Sequence, residues 1–549
     1  MIPISHTSTV GEVFQQAVRR YGEHPFIAVP ANPARAYAAE GLEWTYADVG
    51  EAVQALSERY AAAGYGQGHR VGLLLENRPE HFVHKLAMNA LGVCCVPLNP
   101  DHRPLEMAYV IDHAQLDLVV VLDHMAPLLE LALAHGVHRP AIAGLQDSTG
   151  RLPAPARAAT STRAEATSIA SVLYTSGTTG RPKGCLLSHR YELAAGQWYA
   201  QRGGLIAFGE ACERIYNPLP VFHVNASVFS FYCAMLLGNC QVQTDRFQVS
   251  RWFTEVHASR ATVLHYLGVV VPMLLNQPSH PLEREHRVRF AIGAGVDPQR
   301  HAEFEQRFGY PLIEIWGMTE MVRAIFDADT PRQVGTRAIG RVQPGLELRV
   351  VDDAGAKVPD GVAGEMLVRH SAATPRQDAF SGYLHDEAAT EHAWRGGWFH
   401  TGDIVVRDPD GLLHFLDRRK NIIRRSGENI AAAEVEAALQ THPAVAQAAV
   451  MAVKDEVREE EVLACVVLKS GFTAQALADD PLVRALFEHC NTLLSYFKTP
   501  GWLCFADDIP TTGTQKVQKH QLFAAGTDPR AAPGMVDLRH LKKRDPLKR

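Results

Sequence analysis

The sequence lacks several features that would point to particular classes of protein. It has no basic excess, since 60 Asp and Glu outnumber 54 Lys and Arg, so nothing favours nucleic-acid binding. Its nine cysteines form no CxxC pair, which argues against a zinc site and favours reduced thiols. The N-terminus lacks the basic and apolar segments of a signal peptide, and the apolar stretches are too short or interrupted to span a bilayer. We therefore expect a cytoplasmic protein without a membrane span.

The patterns that are present predict an α/β protein with more than one domain. A chain of 549 residues with 46% apolar and 21% charged positions is too long for one core. From residue 70, short apolar runs alternate with helical patterns, as βαβ units do. After about residue 340, alternating segments around a "DDAG" turn indicate an antiparallel β region.

These patterns divide the chain into three parts. A large N-terminal domain (1–418) holds βαβ-type sheets and a β-rich subdomain. The basic cluster in "DRRKNIIRRSGENI" then introduces a small, mobile C-terminal α+β domain (419–525). A basic tail (526–549) ends in "LRHLKKRDPLKR" and is expected to be solvated, with contact to a membrane surface or an acidic partner as the alternative.

The segment "YTSGTTGRPKG" (174–184) follows the apolar run "SIASVL" and combines flexible glycines, hydroxyl groups and a lysine. Main-chain N–H groups and hydroxyls of such a loop can surround phosphate oxygens, while Lys183 neutralises charge. A P-loop is excluded, because Pro182 stands where that motif needs its second glycine. The alternative is a flexible surface turn.

Four further segments follow in a fixed order: "IWGMTE" (315–320), "FHTGD" (399–403), "DRRKNIIRRSGENI" (417–430) and "TGTQKVQK" (512–519). Together with the loop they resemble the adenylate-forming superfamily, in its acyl-CoA synthetase branch, from about residue 44 to Lys519. Some segments are locally similar to crotonobetaine/carnitine-CoA ligases. A coincidence of five ordered motifs is far less frequent than the chance match of one.

The resemblance implies an ATP-dependent carboxylic acid:CoA ligase. Such an enzyme forms an acyl-adenylate with release of pyrophosphate, and then an acyl-CoA thioester with release of AMP. ATP, Mg²⁺ and coenzyme A are the implied cofactors, and a small-molecule carboxylic acid is the implied partner; a homo-oligomer is compatible with the sequence.

Alternatives are an adenylation enzyme that loads a separate carrier protein, a luciferase-like oxygenase, for which nothing argues, and a catalytically silent nucleotide-binding homologue. The carrier-loading class normally has an early Asp where this chain has "VFHVNA", and the chain ends soon after Lys519.

The nucleotide and metal roles are carried over residue by residue. By resemblance, Thr319 binds the α-phosphate, Glu320 ligates Mg²⁺, Asp403 with Arg418 holds the ribose, and Trp316 lies beside the adenine unless it belongs to the core. In "FAIGAGVDP" the third glycine of a dinucleotide fingerprint is replaced by Pro298. The expected cofactor-binding residues are Thr175, Ser176, Gly177, Thr178, Thr179, Gly180, Lys183, Gly293, Ala294, Gly295, Trp316, Asp403 and Arg418, together with Gly427 for coenzyme A.

The two half-reactions are expected to use different groups. Lys516 matches the lysine that bridges the attacking carboxylate and the α-phosphate, although Lys519 is a nearby competitor and the motif departs from the usual spelling. Lys420 matches the hinge, and Gly427 lies where a pantetheine arm would approach. His223 matches a residue that shapes the acyl pocket and gates the thiol tunnel; a satisfied core histidine is the alternative.

The acid itself is not determined by these motifs. The expected acyl-pocket residues are Phe222, Asn225, Tyr266, Gly268, Met318 and Arg323. Phe222, Tyr266 and Trp316 are candidates for the aromatic cage that a quaternary ammonium acid would require. Short to medium acyl or aryl acids fit equally well. Arg323 either holds a polar group of the acid or makes a structural pair.

Overall fold

The computed structural model describes residues 1–145, 150–161, 163–175, 182–268, 270–418, 422–510, 519, 522–524 and 527–543. Its helices are α1 (Val10–Tyr21), α2 (Tyr46–Ala63), α3 (Pro79–Ala90), α4 (Pro104–Ala114), α5 (Ala126–His135), α6 (His189–Ala200), α7 (Phe231–Leu237), α8 (Trp252–Ala258), α9 (Val270–Leu275), α10 (Pro298–Phe308), α11 (Glu387–Ala393), α12 (Ala432–Gln440) and α13 (Pro481–Leu493).

The strands of the first half of the chain are β1 (Pro25–Val29), β2 (Leu42–Thr45), β3 (Arg70–Leu74), β4 (Cys94–Pro97), β5 (Leu118–Val121), β6 (Ala141–Gly144), β7 (Ile169–Thr175), β8 (Lys183–Ser188), β9 (Arg214–Asn217), β10 (Cys240–Gln243), β11 (Val263–Leu267), β12 (Phe290–Ala294), β13 (Leu312–Met318) and β14 (Met321–Phe326). Those of the second half are β15 (Ala338–Gly340), β16 (Glu347–Val351), β17 (Gly364–Arg369), β18 (Gly382–Tyr383), β19 (Phe399–Arg407), β20 (Leu413–Arg418), β21 (Ile422–Arg425), β22 (Glu428–Ala431), β23 (Val445–Asp455), β24 (Glu459–Leu468), β25 (Trp502–Phe505) and β26 (Val536–Asp537).

The N-terminal domain contains two largely parallel sheets. One has the order β14-β13-β12-β11-β9-β10-β1-β2 and the other β18-β8-β7-β4-β3-β5-β6. Strands β3, β4 and β5 read VGLL, CCVP and LVVV over positions that are almost all buried, as expected for strands that are covered on both faces. Helices α3 and α4 connect β3 to β4 and β4 to β5, and both pairings with β3 are parallel. The predicted βαβ organisation is therefore confirmed.

The β-rich subdomain is an antiparallel sheet of order β15-β20-β19-β17-β16. Strands β16 and β17 pair in register from Glu347 with Arg369 to Val351 with Glu365. This sheet confirms the antiparallel region that the alternating sequence predicts after residue 340. Strand β20 is its last strand along the chain, whereas β21 already belongs to the C-terminal sheet, so the change of sheet occurs between residues 418 and 422.

The C-terminal sheet has the order β22-β21-β24-β25-β26, with β23 also paired to β24. Its core contains the apolar faces of α12 and α13. The prediction of a solvated tail is wrong for residues 527–543, because Val536 and Leu538 are buried against this core. The basic side chains of the segment also find acidic partners: Arg530–Glu456, Arg539–Asp455 and Lys542–Glu461.

A helix that crosses a membrane has to be both long and apolar. Within the described ranges, no helix combines sufficient length with sufficient apolar character to cross a bilayer.

Candidate active site

A cleft of about 880 Å³ lies at the carboxyl ends of the parallel strands β9, β11, β12 and β13. Open α/β sheets bind their ligands at this edge, where the loops that follow the strands converge. The C-terminal domain supplies the facing wall, through the turn between β21 and β22 and the hairpin between β23 and β24. The cleft therefore lies between the two domains and contains groups from both.

Thr319 and Glu320 line the cleft between β13 and β14. The Glu320 carboxylate accepts a hydrogen bond of 2.8 Å from the Tyr383 hydroxyl, and the Thr319 carbonyl accepts one of 2.7 Å from the Tyr191 hydroxyl. Burial and the charge of Glu320 raise the pKa of Tyr383, so its hydroxyl stays protonated and donates. Two tyrosines thus fix the pair that the sequence assigns to the α-phosphate and the metal.

Asp403 lies in β19, opposite Arg418 of β20 in the antiparallel ladder. Its Oδ2 atom accepts a hydrogen bond of 2.8 Å from the indole Nε1 of Trp316. Trp316 is largely buried but still lines the cleft. The indole N–H therefore orients the carboxylate that the resemblance assigns to the ribose, a link that the motifs alone do not reveal.

The predicted phosphate loop begins beside the cleft. Thr175 ends β7 and lines the cleft. Lys183 begins β8, with its ammonium 3.6 Å from the Asp386 carboxylate and 4.8 Å from the centre of the Tyr383 ring. The predicted residues between these strands lie outside the described residues: Ser176, Gly177, Thr178, Thr179 and Gly180.

The segment Gly293, Ala294, Gly295 lines the cleft, but its surroundings already require glycine, because the neighbouring backbone packs closely against it. A Cβ on Gly293 would lie 2.4 Å from the carbonyl oxygen of Tyr266, and one on Gly268 would lie 2.0 Å from that of Gly295. The close approach in the structure is therefore between neighbouring strands. A role of these residues toward adenine stays a prediction.

Glu314 supports this segment and was missed by sequence reasoning. Its carboxylate accepts the backbone N–H groups of Gly295 and Val296 at 3.0 and 3.2 Å and the Tyr266 hydroxyl at 2.9 Å. Burial raises the pKa of Glu314, although these hydrogen bonds oppose the shift. A glutamate in the middle of a strand gives no signal in the sequence that it will hold a loop.

His223 lies where the two domains meet. Its Nε2 atom is 3.6 Å from the Glu428 carboxylate of the C-terminal domain. Burial raises the pKa of Glu428, but the contact with His223 and the more distant charge of Lys498 lower it by more than burial raises it. The net shift of the Glu428 pKa is therefore downward. His223 is also part of the cleft lining, which fits a residue between the acyl side and the second domain.

The other predicted acyl-pocket residues divide into two groups. Asn225, Gly268, Met318 and Tyr266 line the cleft, although Tyr266 is almost completely buried. Phe222 is not among the lining residues of the described chain; its ring packs on His223, with ring centres 4.7 Å apart. Of the three candidates for an aromatic cage, Tyr266 and Trp316 line the cleft, and Phe222 does not.

Arg323 does not have the pocket position that was considered for it. The residue lies in β14 and is 5% exposed. Its guanidinium donates to the carbonyl of Gln377 at 2.6 Å and to the carboxylate of Asp378 at 3.0 Å, and it lies over the Trp198 ring. In the described chain, no residue of β14 lines the cleft. Arg323 is the structural pair that was the alternative.

Replacement of Arg323 by methionine is accordingly expected to lower stability rather than change acid preference. The free energy of unfolding should fall by about 1–3 kcal/mol, because a buried charged hydrogen-bonded pair is lost. Asp378 keeps its second partner, Arg190, at 2.7 Å, which limits the loss. Denaturant unfolding and kcat/KM over a panel of acids measure the two effects. A selective loss of kcat/KM for acids with polar tails would instead indicate that Arg323 contacts the acid.

Gly427 brings the C-terminal domain into the cleft. Its φ is +86°, a left-handed conformation that favours glycine. A Cβ at this position would lie 2.1 Å from Cδ1 of Leu267, at the end of β11. The turn that contains Gly427 is therefore packed directly against the N-terminal domain.

A buried ion-pair cluster joins the two domains beside this turn. The Lys498 ammonium lies 2.6 Å from the Glu106 carboxylate of α4 and 2.8 Å from the Glu434 carboxylate of α12. The Ser495 hydroxyl donates to Glu106 at 2.5 Å, and the Arg103 guanidinium donates to Asn491 at 2.9 Å. None of these residues belongs to a recognisable motif, so sequence reasoning missed them.

Two predicted residues with central roles, Lys516 and Lys420, lie outside the described residues. Their roles stay predictions. Lys519, the competitor of Lys516, is described: its ammonium donates to the carbonyl of Val450 at 2.7 Å and pairs with Glu436 at 2.6 Å. Lys519 is thus committed to contacts within the C-terminal domain.

The family of the chain follows from comparison with known proteins. Residues 14–384 match the AMP-binding enzyme family, and residues 434–516 match the AMP-binding enzyme C-terminal domain. The chain belongs to the AMP-binding enzyme family. The sulfoacetate–CoA ligase of Cupriavidus necator is 31% identical over 475 residues, which cover 85% of this chain and 90% of that protein.

Two further comparisons agree with this family. The crotonobetaine/carnitine–CoA ligase of Salmonella paratyphi B is 28% identical over 500 residues, covering 88% of this chain and 94% of that protein. A double mutant of the o-succinylbenzoate CoA synthetase of Bacillus subtilis superposes with a TM-score of 0.78 at 22% identity, covering 94% of this chain and 98% of that one. The predicted family and fold class are confirmed.

Proposed function

We propose that this AMP-binding enzyme activates a small carboxylic acid with ATP and transfers the acyl group to coenzyme A. The observation that carries the proposal is one cleft that contains Thr319, Glu320, Trp316 and His223 from the large domain and Gly427 from the small domain. Such a cleft offers both a nucleotide side and a passage for a thiol. The prediction of an acid–thiol ligase is confirmed by the relatives, which are CoA ligases.

In the first half-reaction, an oxygen of the acid's carboxylate attacks the α-phosphorus of ATP, and pyrophosphate leaves. Two anions must approach each other, so the site has to supply positive charge and hydrogen bonds where charge develops. We assign Thr319 to the α-phosphate and Asp403, whose carboxylate accepts a hydrogen bond from Trp316, to the ribose. Lys516 carries the charge that bridges the two reactants.

Mg²⁺ is the metal proposed for the first half-reaction, and Glu320 fits it. The carboxylate lines the cleft and is anchored through one oxygen by Tyr383, which suits an ion that takes one or two carboxylates together with phosphate oxygens. When bound, Mg²⁺ would neutralise phosphate charge.

In the second half-reaction, the thiol of coenzyme A loses its proton and attacks the acyl carbon, and the bond to AMP breaks. The thiol has to enter between the domains, where Gly427 keeps the backbone close to Leu267 without a side chain of its own. His223 and Glu428 lie at the same junction. A hinge at Lys420 would let the small domain alternate between the two half-reactions.

The proposed substrates are small acids in a cytoplasmic setting. Relatives act on sulfoacetate and on crotonobetaine or carnitine, according to their names, and these are all compact acids. All nine cysteines are free thiols, which is compatible with a reducing compartment. A homo-oligomer is compatible with the fold.

The function is tested with the purified full chain, ATP, Mg²⁺, coenzyme A and a panel of short aliphatic, aryl and polar acids. We expect stoichiometric release of pyrophosphate and AMP together with an acyl-CoA that mass spectrometry identifies. Omission of coenzyme A should leave an enzyme-bound acyl-adenylate. Absence of pyrophosphate release with every acid would contradict the proposal.

Replacement of Gly427 by alanine is expected to slow thioester formation by between about 5- and 30-fold, because a left-handed non-glycine residue costs about 1–2 kcal/mol. The added Cβ also displaces Leu267. Adenylate formation should change little. Both half-reactions are measured separately, by pyrophosphate release and by thioester formation from supplied acyl-AMP.

Gly411→Ala is the matched control for Gly427→Ala. Gly411 has a φ of +85° and nothing within 4 Å of its Cβ position, so it carries the same backbone strain away from the cleft. It should leave both half-reactions unchanged. If both variants slowed thioester formation equally, the effect of Gly427→Ala would be due to backbone strain in general. The proposed role of Gly427 in the thiol passage would then be wrong.

A further inference from the structure

A polar network at the acyl end of the cleft fixes the orientation of one amide. The backbone N–H of Leu219 donates to Oδ1 of Asn217 at 3.0 Å. A backbone N–H can only donate, so this bond identifies the oxygen end of the Asn217 amide. Its nitrogen end must then be the donor in the two other contacts, at 2.9 Å to Oδ1 of Asn225 and at 2.9 Å to the hydroxyl of Ser230.

The orientation of Asn225 follows from that of Asn217. Since the Asn225 oxygen accepts from Asn217, the Nδ2 group is the other end of the planar amide and has two N–H donors. Asn225 is half-buried and lines the cleft. Over the described residues, no protein acceptor is found for this Nδ2 group. Among the residues that the structure describes, the side chain therefore has an oriented donor without a protein partner.

The backbone around Asn225 strengthens this arrangement. Residues Asn225–Ser230 form one turn of π-helix, a widened turn that occurs often at functional sites. The Ser230 hydroxyl donates to the carbonyl of Asn225 at 3.2 Å. Asn217 is fully buried. The amide is thus held from its oxygen end and from its own main chain, which limits its freedom to rotate.

The surrounding wall is mainly apolar and selects what this donor can bind. The cleft lining includes the apolar residues Leu219, Pro220, Val224, Phe229 and Met318, together with the polar His223 and Glu428. The hydroxyl of Tyr266 is already bonded to Glu314. An oxygen atom of a ligand would satisfy the amide donor, in a setting where an unmade hydrogen bond is costly.

We propose that Asn225 determines acid specificity by donating a hydrogen bond to an oxygen acceptor on the acyl chain. The substrate class is then a small carboxylic acid that carries a hydroxyl, carbonyl or acidic oxygen in addition to the carboxyl group that is activated. This inference rests on the proposed ligase function and specifies its substrate.

The test compares pairs of acids in which an oxygen replaces or is added to a carbon, for example methoxyacetate with butanoate and 4-oxopentanoate with pentanoate, with malonate and succinate for acidic oxygens. The wild-type protein should have the higher kcat/KM for the oxygen-bearing member of at least one pair. Asn225→Leu should lower kcat/KM for that acid by roughly 10- to 100-fold, with the alkyl member spared or improved.

Asn225→Asp is the second variant, because it keeps the oxygen that Asn217 needs and replaces the N–H donor with a second carboxylate oxygen, which accepts hydrogen bonds and carries negative charge. It should lose the same preference even if the leucine variant folds poorly. Asn276→Leu, at another asparagine of the cleft, should preserve the order of preference among the acids. Thermal unfolding of each variant shows whether the fold is kept.

Two results are distinguishable as failures. If wild-type protein releases no pyrophosphate and forms no acyl-CoA with any acid, the ligase function itself is wrong, and the inference falls with it. In the second case acids are activated, but the wild-type protein prefers the alkyl members, or both Asn225 variants change kcat/KM for every acid by the same factor. The ligase function then stands, and Asn225 does not determine acid specificity.

Discussion

Replacement of Lys516 by alanine should lower the rate of acyl-adenylate formation by roughly a hundred-fold or more, the scale seen when a preorganised electrostatic group is removed. The reaction brings a carboxylate to a phosphate, and a compact ammonium on a flexible stem can follow the charge as it moves between them. Formation of the thioester from supplied acyl-AMP should be largely preserved, since no phosphate bond to pyrophosphate breaks in that step. Pyrophosphate release and single-turnover thioester formation measure the two rates.

Lys519→Ala is the control that the structure provides. The Lys519 ammonium is bonded to Val450 and paired with Glu436, so its loss should affect stability of the C-terminal domain more than the chemistry. The "VQK" that follows Lys516 already favours it over Lys519 in the sequence, and the pairing of Lys519 with Glu436 is compatible with that choice. An equal loss of adenylation in both variants, or an equal loss of both half-reactions in Lys516→Ala, would overturn the assignment.

The sequence predicted those parts of the site that are carried by short motifs. Thr319, Glu320 and Asp403 occur in segments whose order and spelling identify the family, and the structure brings all of them to one edge of the sheet or next to it. The βαβ pattern was equally legible, because buried parallel strands such as β3 to β5 are nearly continuous apolar runs.

The parts that could not be predicted depend on contacts between residues far apart in the chain. Tyr383 supports Glu320 from 63 positions away, and Trp316 reaches Asp403 across 87 positions. The direction of Arg323 depended on Asp378, which no motif contains. The prediction of a solvated tail was wrong for the same reason. The acidic partners of its basic residues, Asp455, Glu456 and Glu461, are distant in the sequence and become neighbours only in the fold.

The interdomain cluster leads to the second large expected effect. Glu106→Gln should reduce thioester formation by 10-fold or more and leave adenylate formation largely intact. Breaking a buried ion pair costs about 3–5 kcal/mol, and this pair exists only when α4 of the large domain meets Lys498 of the small one. In that orientation Gly427 is also in the cleft. We propose that this observed orientation is the one for thiol transfer, so loss of the pair should remove stability from it.

The ionisation of the cluster supports this expectation. Burial raises the pKa of Glu106, but the Lys498 ammonium and the Ser495 hydroxyl lower it more, so the net shift is downward. Burial lowers the pKa of Lys498, whereas Glu106 and Glu434 raise it more, and the net shift is upward. A carboxyl group whose pKa is lowered in the folded protein contributes stability at pH values above its ordinary pKa. An ammonium group whose pKa is raised contributes stability at pH values below its ordinary pKa. The pair is consequently charged throughout the neutral range.

Glu106→Gln is preferable to a change at Lys498, because Lys498 then keeps Glu434 as a partner within its own domain. The small domain should stay folded while its contact with α4 is weakened. Lys454→Met is the matched control: its pair with Asp297 also joins the domains, but at 3.7 Å and with the lysine side chain 69% exposed, and exposed pairs contribute about 0–1 kcal/mol. The two half-reactions are again assayed separately, and small-angle scattering reports the domain arrangement. Equal effects of the two variants, or an equal loss of both half-reactions in Glu106→Gln, would show that the buried cluster does not select the thiol-transfer orientation.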